Sequence, residues 1–343
     1  MDGITEKCEK SSIGMEKSMG KVYGGIIGAA VGDALGVPVE FMSREELAKS
    51  PVTGMQGYGT HNQPMGTWSD DTSLTLALTD SIVRRQTVDY YDIMDKFSEW
   101  LLYGAYTATE EVFDAGGATS RAIMNYGRGM NPLECGGMSE YENGNGSLMR
   151  ILPAAYYLEK QSGILLSEQM EIVHNISSLT HRHPISLIGC GIYVNVALKL
   201  LSDSLPLKEG IRQGMEEAFQ YYISEKWEDI SVYDRLKDIK SFAALPEAEI
   251  RSSGYIVDTL EAAVWCLVNT YSFRECILKA VNLGDDTDTV GAVAGGLAGI
   301  YYGADNIPQE WLAEILKRDV IERLCAELEC LPQKTGWVND SLN

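Results

Sequence analysis

A mainly α-helical fold is predicted by two features of the sequence. Apolar residues recur three and four positions apart in ten segments, which is the spacing of a helix with one buried face. Runs in which apolar and polar residues alternate between hairpin turns, as they do in strands, are nearly absent. The ten predicted helices are 74–85, 91–102, 149–160, 167–178, 185–201, 207–223, 257–269, 273–281, 290–302 and 309–328.

These helices are expected to form one domain. No fixed-period repeat and no long Pro/Ser-rich linker divides the 343 residues. We therefore divide the chain into a polar N-terminal extension (1–20), a helical domain (21–330) and a C-terminal tail (331–343). The polar segment 226–253 is expected to be a surface excursion of that domain.

A further helix is predicted at 24–36, where the sequence is GGIIGAAVGDALG. Its glycines resemble a dinucleotide-binding loop, but no predicted strand precedes them and no βαβ unit follows. Small residues three and four positions apart are better explained by a helix that packs closely against its neighbours. Glu40 lies just beyond Pro38, at the end of this element.

The next predicted helix begins with a cluster of oxygen-bearing side chains. Ser69 is a good N-cap, and Asp70 and Asp71 in the first turn complement the positive end of the helix dipole. Taken alone, this cluster is explained by capping. A second cluster of the same kind precedes the helix predicted at 290–302, and it comprises Asp286, Asp288 and Thr289.

The two clusters together point to a metal site. The segment 290–302 is rich in glycine and alanine, so this helix can pack tightly and carry its acidic N-terminus into the interior. Burying four carboxylates without cations costs many kcal/mol, so they would be protonated or bound to metal. Carboxylates and hydroxyls without a nearby histidine favour Mg²⁺ or Mn²⁺ over zinc. Two ions about 3.5–4 Å apart are the usual arrangement for so many converging carboxylates.

Three loops carry further candidate residues. The loop 143–150 (NGNGSLMR) could present backbone N–H groups to a phosphate, although a plain turn with Ser147 as a helix cap explains it equally well. In the segment 180–184 (THRHP), we expect one imidazole to face a ligand and the other to be structural. Asp114 is an acid in a glycine-rich loop and is unremarkable by itself.

Composition narrows the class of protein. The formal net charge of −21 disfavours sequence-independent binding to nucleic acids or anionic membranes, which relies on Lys and Arg. The seven cysteines are scattered without a C-x-x-C pair, as expected of reduced thiols in the cytoplasm rather than a zinc site or disulfide frame. The apolar run 22–41 is interrupted by Asp33 and Glu40, so we expect neither a signal peptide nor a membrane span.

Six motifs in order resemble the ADP-ribosylglycohydrolase family, and the resemblance covers residues 24–303. The motifs are G-x-x-x-G-D-A-L-G with a following E (28–40), G-x-W-S-D-D-T (66–72), F-D-x-G (113–116), G-N-G-S-x-M-R (144–150), T-H (180–181) and G-D-D-T-D-T (284–289). The resemblance implies a single orthogonal all-α domain with a binuclear Mg²⁺ or Mn²⁺ site. That expectation agrees with the reasoning from the residues.

The resemblance also implies roles for individual residues. Glu40 would help to activate the attacking water or the ribose, and Asp114 would face the bond to be cleaved. The metal ligands would be Ser69, Asp70, Asp71, Asp286, Asp288 and Thr289. The residues that bind ADP-ribose would be Asn143, Gly144, Asn145, Gly146, Ser147 and His181. Two departures are visible, since Ser69 replaces the commoner threonine and Asp285 stands where many members have glycine.

The activity that the resemblance implies is metal-assisted hydrolysis of the bond at the anomeric carbon of ADP-ribose. The expected substrate is an ADP-ribosylated protein, with arginine as the modified residue, and the expected product is ADP-ribose. Serine-linked, nucleic-acid-linked and O-acetyl-ADP-ribose remain alternatives within the class. A non-catalytic binder or crystallin-like structural member, and a metal phosphohydrolase acting on nucleotides, are alternatives outside it.

Overall fold

The described part of the chain is mainly α-helical, as the sequence predicts. The structure is a computed structural model that describes residues 19–202 and 205–335. The α-helices within them are α1 (Met19–Gly36), α2 (Arg44–Lys49), α3 (Asp70–Arg85), α4 (Tyr90–Tyr103), α5 (Gly117–Gly127), α6 (Leu152–Glu159), α7 (Leu166–Ser178), α8 (Pro184–Leu201), α9 (Leu207–Ser224), α10 (Ile239–Ala243), α11 (Ile256–Val268), α12 (Phe273–Val281), α13 (Thr287–Tyr302), α14 (Gln309–Leu312) and α15 (Arg318–Glu329).

The described residues also form short 3₁₀ helices and two short strands. The 3₁₀ helices are Val37–Val39, Gly59–His61, Pro132–Glu134, Glu228–Lys237, Glu247–Glu249 and Ala304–Asn306. Strands β1 (Gln161–Ser162) and β2 (Lys334–Thr335) form one short parallel pair. The described helices share one hydrophobic core. Residues 1–18 and 336–343 lie outside the described residues, so the predicted extension and tail stay predictions.

Helices α1 and α13 lie in this core and touch through their backbones. A Cβ atom built on Gly28 of α1 would lie 2.5 Å from the carbonyl oxygen of Gly295 on α13. A Cβ atom built on Gly32 of α1 would lie 2.0 Å from the carbonyl oxygen of Gly291 on α13. No side chain larger than hydrogen fits at these positions, which is why the small residues recur with helical spacing. Residue numbers increase along α1 from Gly28 to Gly32 while those of their partners on α13 decrease from Gly295 to Gly291, so the two helices are antiparallel.

This contact fixes where the second acidic cluster lies. A Cβ atom on Gly36, the last residue of α1, would lie 2.3 Å from the Asp288 Cα atom. The Thr287 hydroxyl donates a hydrogen bond of 2.8 Å to the Gly36 carbonyl oxygen. The N-terminus of α13 is therefore carried into the interior beside the end of α1, as the sequence predicts.

Two segments are long and apolar enough to cross a membrane when judged by length and composition alone. They are Gly20–Val39 and Pro184–Leu201, and 94% and 72% of them are buried inside the protein. Such burial is typical of the core helices of a folded domain, which are apolar on all sides.

Three predictions about individual elements are wrong. The helix predicted at 309–328 is broken between α14 and α15, where the Leu316 N–H donates to the Gly66 carbonyl oxygen (3.1 Å) and Lys317 adopts a left-handed φ of 42°. The helix predicted at 149–160 begins only at Leu152, so Ser147 is not its cap. The segment 226–253 is not a mere surface excursion, because it folds into helical turns that bury apolar side chains, namely Ile230, Tyr233, Leu236 and Phe242.

Replacing Gly32 by alanine is expected to destabilise the protein by about 3 kcal/mol, because the new methyl group must push α13 away from α1. Urea denaturation of the wild type and the variant measures this difference. Gly20→Ala is the matched control on the same helix, since nothing lies within 4 Å of its Cβ position. Equal stability of the two variants would contradict the backbone contact.

Acid is expected to destabilise the fold through His174 on α7. Burial lowers the pKa of His174 to about 4, from a usual 6.5, and its Nε2 atom is 2.8 Å from the Tyr222 hydroxyl. Between these two pKa values the unfolded chain takes up a proton that the folded chain does not, so stability falls as the pH falls. The contribution is about 2 kcal/mol between pH 7 and pH 5. Urea denaturation of the wild type and of His174→Gln at both pH values isolates this contribution, because the other titrating groups are common to the two proteins. From pH 7 to pH 5 the stability of the variant relative to the wild type should rise by about 2 kcal/mol.

Candidate functional site

The two acidic clusters meet at the N-termini of α3 and α13. The Thr289 hydroxyl donates a hydrogen bond of 3.3 Å to Asp71 Oδ2, which joins the clusters across 218 residues of sequence. Ser69 caps α3 as predicted, and its Oγ atom accepts a bond from the Asp71 N–H (3.3 Å). Asp288 Oδ1 accepts from the Thr289 N–H at 2.8 Å.

Asp33 holds the start of α3 in place, a role that was not predicted from the sequence. Its Oδ1 atom accepts from the Ser69 N–H (2.9 Å), and its Oδ2 atom accepts from the Thr72 N–H (3.0 Å) and hydroxyl (2.6 Å). Burial raises the pKa of Asp33 to about 6, although these hydrogen bonds oppose the change. A single acid inside the apolar helix α1 was the signal that could have identified it.

Glu40 is buried beside a second residue that the sequence reasoning did not single out. Its Oε2 atom is in short contact with His61 Nε2, in the 3₁₀ turn before α3. The ligand atoms of Glu40, His61 and Asp114 all lie within 4.8 Å of one another, and so do those of Glu40, Asp286 and Asp288. Glu40 therefore belongs to both groups and links them.

Two loops are joined next to Glu40. The Phe41 N–H donates to the Asp285 carbonyl oxygen at 2.7 Å, and the Asp285 N–H donates to the Met42 carbonyl oxygen at 2.8 Å. Phe41 (φ 67°) and Asp285 (φ 59°) are both left-handed, a conformation that few residues other than glycine adopt. The backbone after α1 is thereby attached to the loop that leads into α13.

Burial and mutual repulsion raise the pKa of the clustered carboxyl groups. The pKa of Glu40 is raised to about 10, first by burial and then by the charges of Asp114, Asp286 and Asp70. Burial is also the first cause that places the pKa of Asp71 well above its usual range. The same holds for Asp70 and Asp288. Without a cation, these groups are costly to ionise together.

The donor set fits a divalent cation. At this site, three buried carboxylate oxygens have no hydrogen-bond partner among the described residues, and they are Asp71 Oδ1, Asp286 Oδ1 and Asp288 Oδ2. Buried polar atoms are rarely left without a partner, and these three belong to one cluster: Asp286 and Asp288 have ligand atoms within 4.8 Å of those of Glu40, and Thr289 joins Asp71 to them. Such a cluster could hold a cation. These carboxylate oxygens, with the hydroxyls beside them, suit Mg²⁺ or Mn²⁺. The expectation of no nearby histidine is wrong, because the structure places His61 beside Glu40 and Asp114.

The loop 143–150 is held against both α11 and α13. The Asn145 amide donates to Thr259 Oγ1 (2.9 Å) and to Asp286 Oδ2 (2.8 Å). Arg150 is fully buried and in short contact with the Gly146 carbonyl oxygen, and its guanidinium carbon lies 4.9 Å from the centre of the Phe97 ring. These contacts hold the glycine-rich backbone open towards the cleft.

Two residues predicted to bind ADP-ribose point elsewhere. The Ser147 side chain is buried and accepts a hydrogen bond of 2.9 Å from Ser177 Oγ. The Asn143 amide donates to the Glu140 carbonyl oxygen at 2.8 Å within its own loop. Neither lines the cleft, so any contact of Ser147 with a ligand would come from its backbone.

The two histidines of the segment 180–184 have different positions. His183 caps α8, with its Nδ1 atom 3.3 Å from the Ile185 N–H. His181 lines the cleft against Gly144 and Gly146, and its Nδ1 atom is hydrogen-bonded to Thr180 Oγ1 at 2.8 Å. Burial lowers the pKa of His181 to about 3, so the ring is neutral at physiological pH.

A cleft of about 260 Å³ brings the predicted residues together. Its lining also includes the start of α5 (Gly116 and Gly117), Phe41 and Met149. The predicted site residues that line it are Glu40, Asp70, Asp114, Gly144, Asn145, Gly146, His181, Asp286 and Thr289. Ser69, Asp71 and Asp288 are buried and are not part of this lining.

Comparisons with known proteins point to one family. A family model described as ADP-ribosylglycohydrolase matches residues 15–337. The ADP-ribosylarginine hydrolase Tri1 of Serratia proteamaculans is 32% identical over 313 residues, which are 91% of this chain and 80% of that protein. The ADP-ribosyl-dinitrogen reductase glycohydrolase of Rhodospirillum rubrum is 32% identical, covering 86% of this chain and 90% of that one.

A solved structure shares the fold. It is titled an ADP-ribosylglycohydrolase-related protein complex, and it superposes with a TM-score of 0.72 at 30% sequence identity. The match covers 92% of this chain and 98% of the other.

Mg²⁺ or Mn²⁺ is expected to raise the melting temperature of this protein. At a concentration of about 100 times Kd, one bound ion contributes about 2.7 kcal/mol, or roughly 4 °C for a chain of this size. Thermal denaturation with and without metal measures the shift. Asp288→Asn should remove most of it, because the variant loses a buried carboxylate of the cluster. Asp305→Asn, at an exposed position, should keep it; an equal shift in both variants would contradict the metal site.

Proposed function

We propose that this chain, which belongs to the ADP-ribosylglycohydrolase family, is a metal-dependent hydrolase that releases ADP-ribose from a modified arginine of a protein. The observation that carries the proposal is the convergence of buried, unpartnered carboxylate oxygens beside an open cleft. The family and the names of the relatives indicate hydrolase activity on ADP-ribosyl groups. The arginine linkage and the use of two Mg²⁺ or Mn²⁺ ions are the proposed part.

The residues proposed to hold the metal lie on the two helix N-termini. Asp70 and Asp71 would bind from α3, with the Ser69 hydroxyl; Asp286, Asp288 and Thr289 would bind from α13. When bound, such ions supply Lewis-acid assistance and a fixed position for water and ribose hydroxyls. Asp33 would act as a positioning residue, because it fixes the α3 backbone without lining the cleft.

Glu40 is the group best placed to move a proton. It lines the cleft, its carboxyl oxygen contacts His61, and the raised pKa of about 10 shows how strongly its surroundings favour the protonated form in the absence of a cation. A bound cation would lower that pKa and make the carboxylate available as a base. We therefore assign Glu40 the activation of the attacking water or of the ribose.

Asp114 lines the same cleft as the glycine-rich loop, and we assign it to the end of the substrate where the leaving group departs. Carboxylates near the anomeric carbon stabilise the positive charge that develops as the leaving group departs. The backbone of Gly144, Asn145 and Gly146 would bind the diphosphate, with neutral His181 packed behind it. A neutral imidazole adds no charge there and instead supports the loop.

The arginine linkage is favoured by the relatives. Two of the matched proteins are named as ADP-ribosylarginine hydrolases, and a third is named for dinitrogen reductase. The ADP-ribosylhydrolase ARH3 of Homo sapiens is more distant, at 24% identity over 87% of this chain. The F-D-x-G loop that contains Asp114 also resembles the corresponding loop of the bacterial family members that act on arginine.

The test is release of free ADP-ribose from an arginine-ADP-ribosylated protein, measured with Mg²⁺ or Mn²⁺ and again with EDTA. We expect metal-dependent release. Asp71→Ala and Asp288→Ala should each reduce turnover by more than about a hundredfold, because each removes a buried ligand, while the helical circular-dichroism signal stays unchanged. Asp305→Asn is the surface control and should retain full activity.

Two outcomes would redirect the proposal. Unchanged turnover in either buried-ligand variant, with metal present, would contradict the binuclear site. If the wild type releases nothing from the arginine-linked protein but binds ADP-ribose tightly, the arginine linkage is wrong. Serine-linked and O-acetyl substrates are then the next to be assayed, followed by the non-catalytic binder.

A further inference from the structure

We infer that the Phe41 and Phe113 rings, with the His61 ring between them, form a platform that binds the guanidinium group of the ADP-ribosylated arginine. The inference rests on the proposed function and names the part of the site that selects arginine. Three observations carry it: the row of rings, the conformation of Phe41, and the charge of the surrounding cleft.

The three rings form a continuous row beside Glu40 and Asp114. The centre of the His61 ring lies 6.0 Å from that of Phe41 and 5.2 Å from that of Phe113, and both pairs are tilted. Phe41 itself lines the cleft. Each phenylalanine is next in sequence to an acid of the site, and the His61 ring between them lies within reach of the Glu40 and Asp114 carboxylates.

Phe41 is held in a conformation that packing does not explain. Its side chain is 67% exposed, so the ring gains little from burial. Its φ of 67° is an outlier for a bulky residue, and such conformations persist mainly at ligand-binding sites. The hydrogen bond from its N–H to the Asp285 carbonyl oxygen maintains that backbone. An exposed aromatic ring kept in this way is available to a ligand.

The charge around the rings favours a cation. Among the described residues, those that line the cleft include Glu40, Asp70, Asp114 and Asp286 but no lysine or arginine. A guanidinium group stacks on aromatic faces and pairs with carboxylates, and this combination suits arginine better than any other leaving group considered above. A serine or O-acetyl leaving group carries no planar cation. A nucleic-acid base can stack on the rings, but it brings no positive charge to the carboxylates.

The same rings could instead stack on the adenine of ADP-ribose, and the test must separate the two cases. Free ADP-ribose contains the adenine and both phosphates but no guanidinium group. We therefore compare kcat/KM for the arginine-linked protein with the inhibition constant Ki of free ADP-ribose in the same assay. Loss of a contact with the guanidinium group lowers kcat/KM for the arginine-linked protein and leaves the Ki of ADP-ribose unchanged.

Phe41→Gly is the decisive variant, because glycine adopts a positive φ readily and the fold is not put at risk. We expect kcat/KM for the arginine-linked protein to fall about tenfold, mainly through a higher KM, with Ki of ADP-ribose unchanged within about twofold. Phe41→Tyr keeps the ring and should stay within about threefold of the wild type. Tyr271→Ala removes an aromatic ring that is 90% exposed outside the cleft and should change neither value.

Each other outcome overturns the inference. Equal changes in kcat/KM and Ki would assign the ring to ADP-ribose, and no change in either would remove its role. Both require an active wild type, which separates them from a failure of the proposed function, where the wild type itself releases no ADP-ribose from the arginine-linked protein.

Discussion

The backbone contact between α1 and α13 is the constraint on which the candidate site depends. Because Gly32 and Gly291 allow the helices to touch, α13 begins beside the end of α1, and Asp288 is packed against Gly36. Glu40 lies four residues after Gly36 along the chain, and its carboxylate lies next to those of Asp286 and Asp288. A wider separation, as between ordinary helices with larger side chains, would leave the N-terminus of α13 too far from Glu40 to share a cation. The glycine spacing is thus a requirement of the site as well as of the core.

The site concentrates negative charge where the protein supplies little to compensate it. Among the described residues, Arg150 is a fully buried cation near the cluster, but its guanidinium group bonds carbonyl oxygens and packs on Phe97 instead of pairing with a carboxylate. Burial lowers its pKa to about 10, so it stays charged at neutral pH and offsets only part of the repulsion. The pKa values of the clustered carboxyl groups stay raised because the rest of the repulsion between them is not offset. A bound divalent cation would relieve this repulsion, so the proposed metal binding would also stabilise the fold.

Local sequence signals predicted the parts of the structure that depend on neighbouring residues. The helical spacing of apolar residues, the Ser69 cap and the small residues of α1 all act within one element, and the structure agrees with them. The break before Lys317 could not be read in this way, since it depends on the carbonyl oxygen of Gly66, 250 residues away in sequence. For the same reason, no role for Asp33 or His61 could be predicted from the sequence alone. Their significance comes from contacts with α3 and with Glu40 that only the folded chain creates.

The site is divided between rigid and irregular backbone. The proposed metal ligands stand at the starts of α3 and α13, which are fixed by Asp33 and by the contact with α1. Phe41 and Asp114, which would meet the leaving group, lie in connections with left-handed φ values. Loops tolerate substitution better than packed helices do. Relatives that cleave other linkages should therefore differ from this chain around Phe41 and Asp114, because the carboxylates on α3 and α13 would serve hydrolysis at the anomeric carbon whichever group departs.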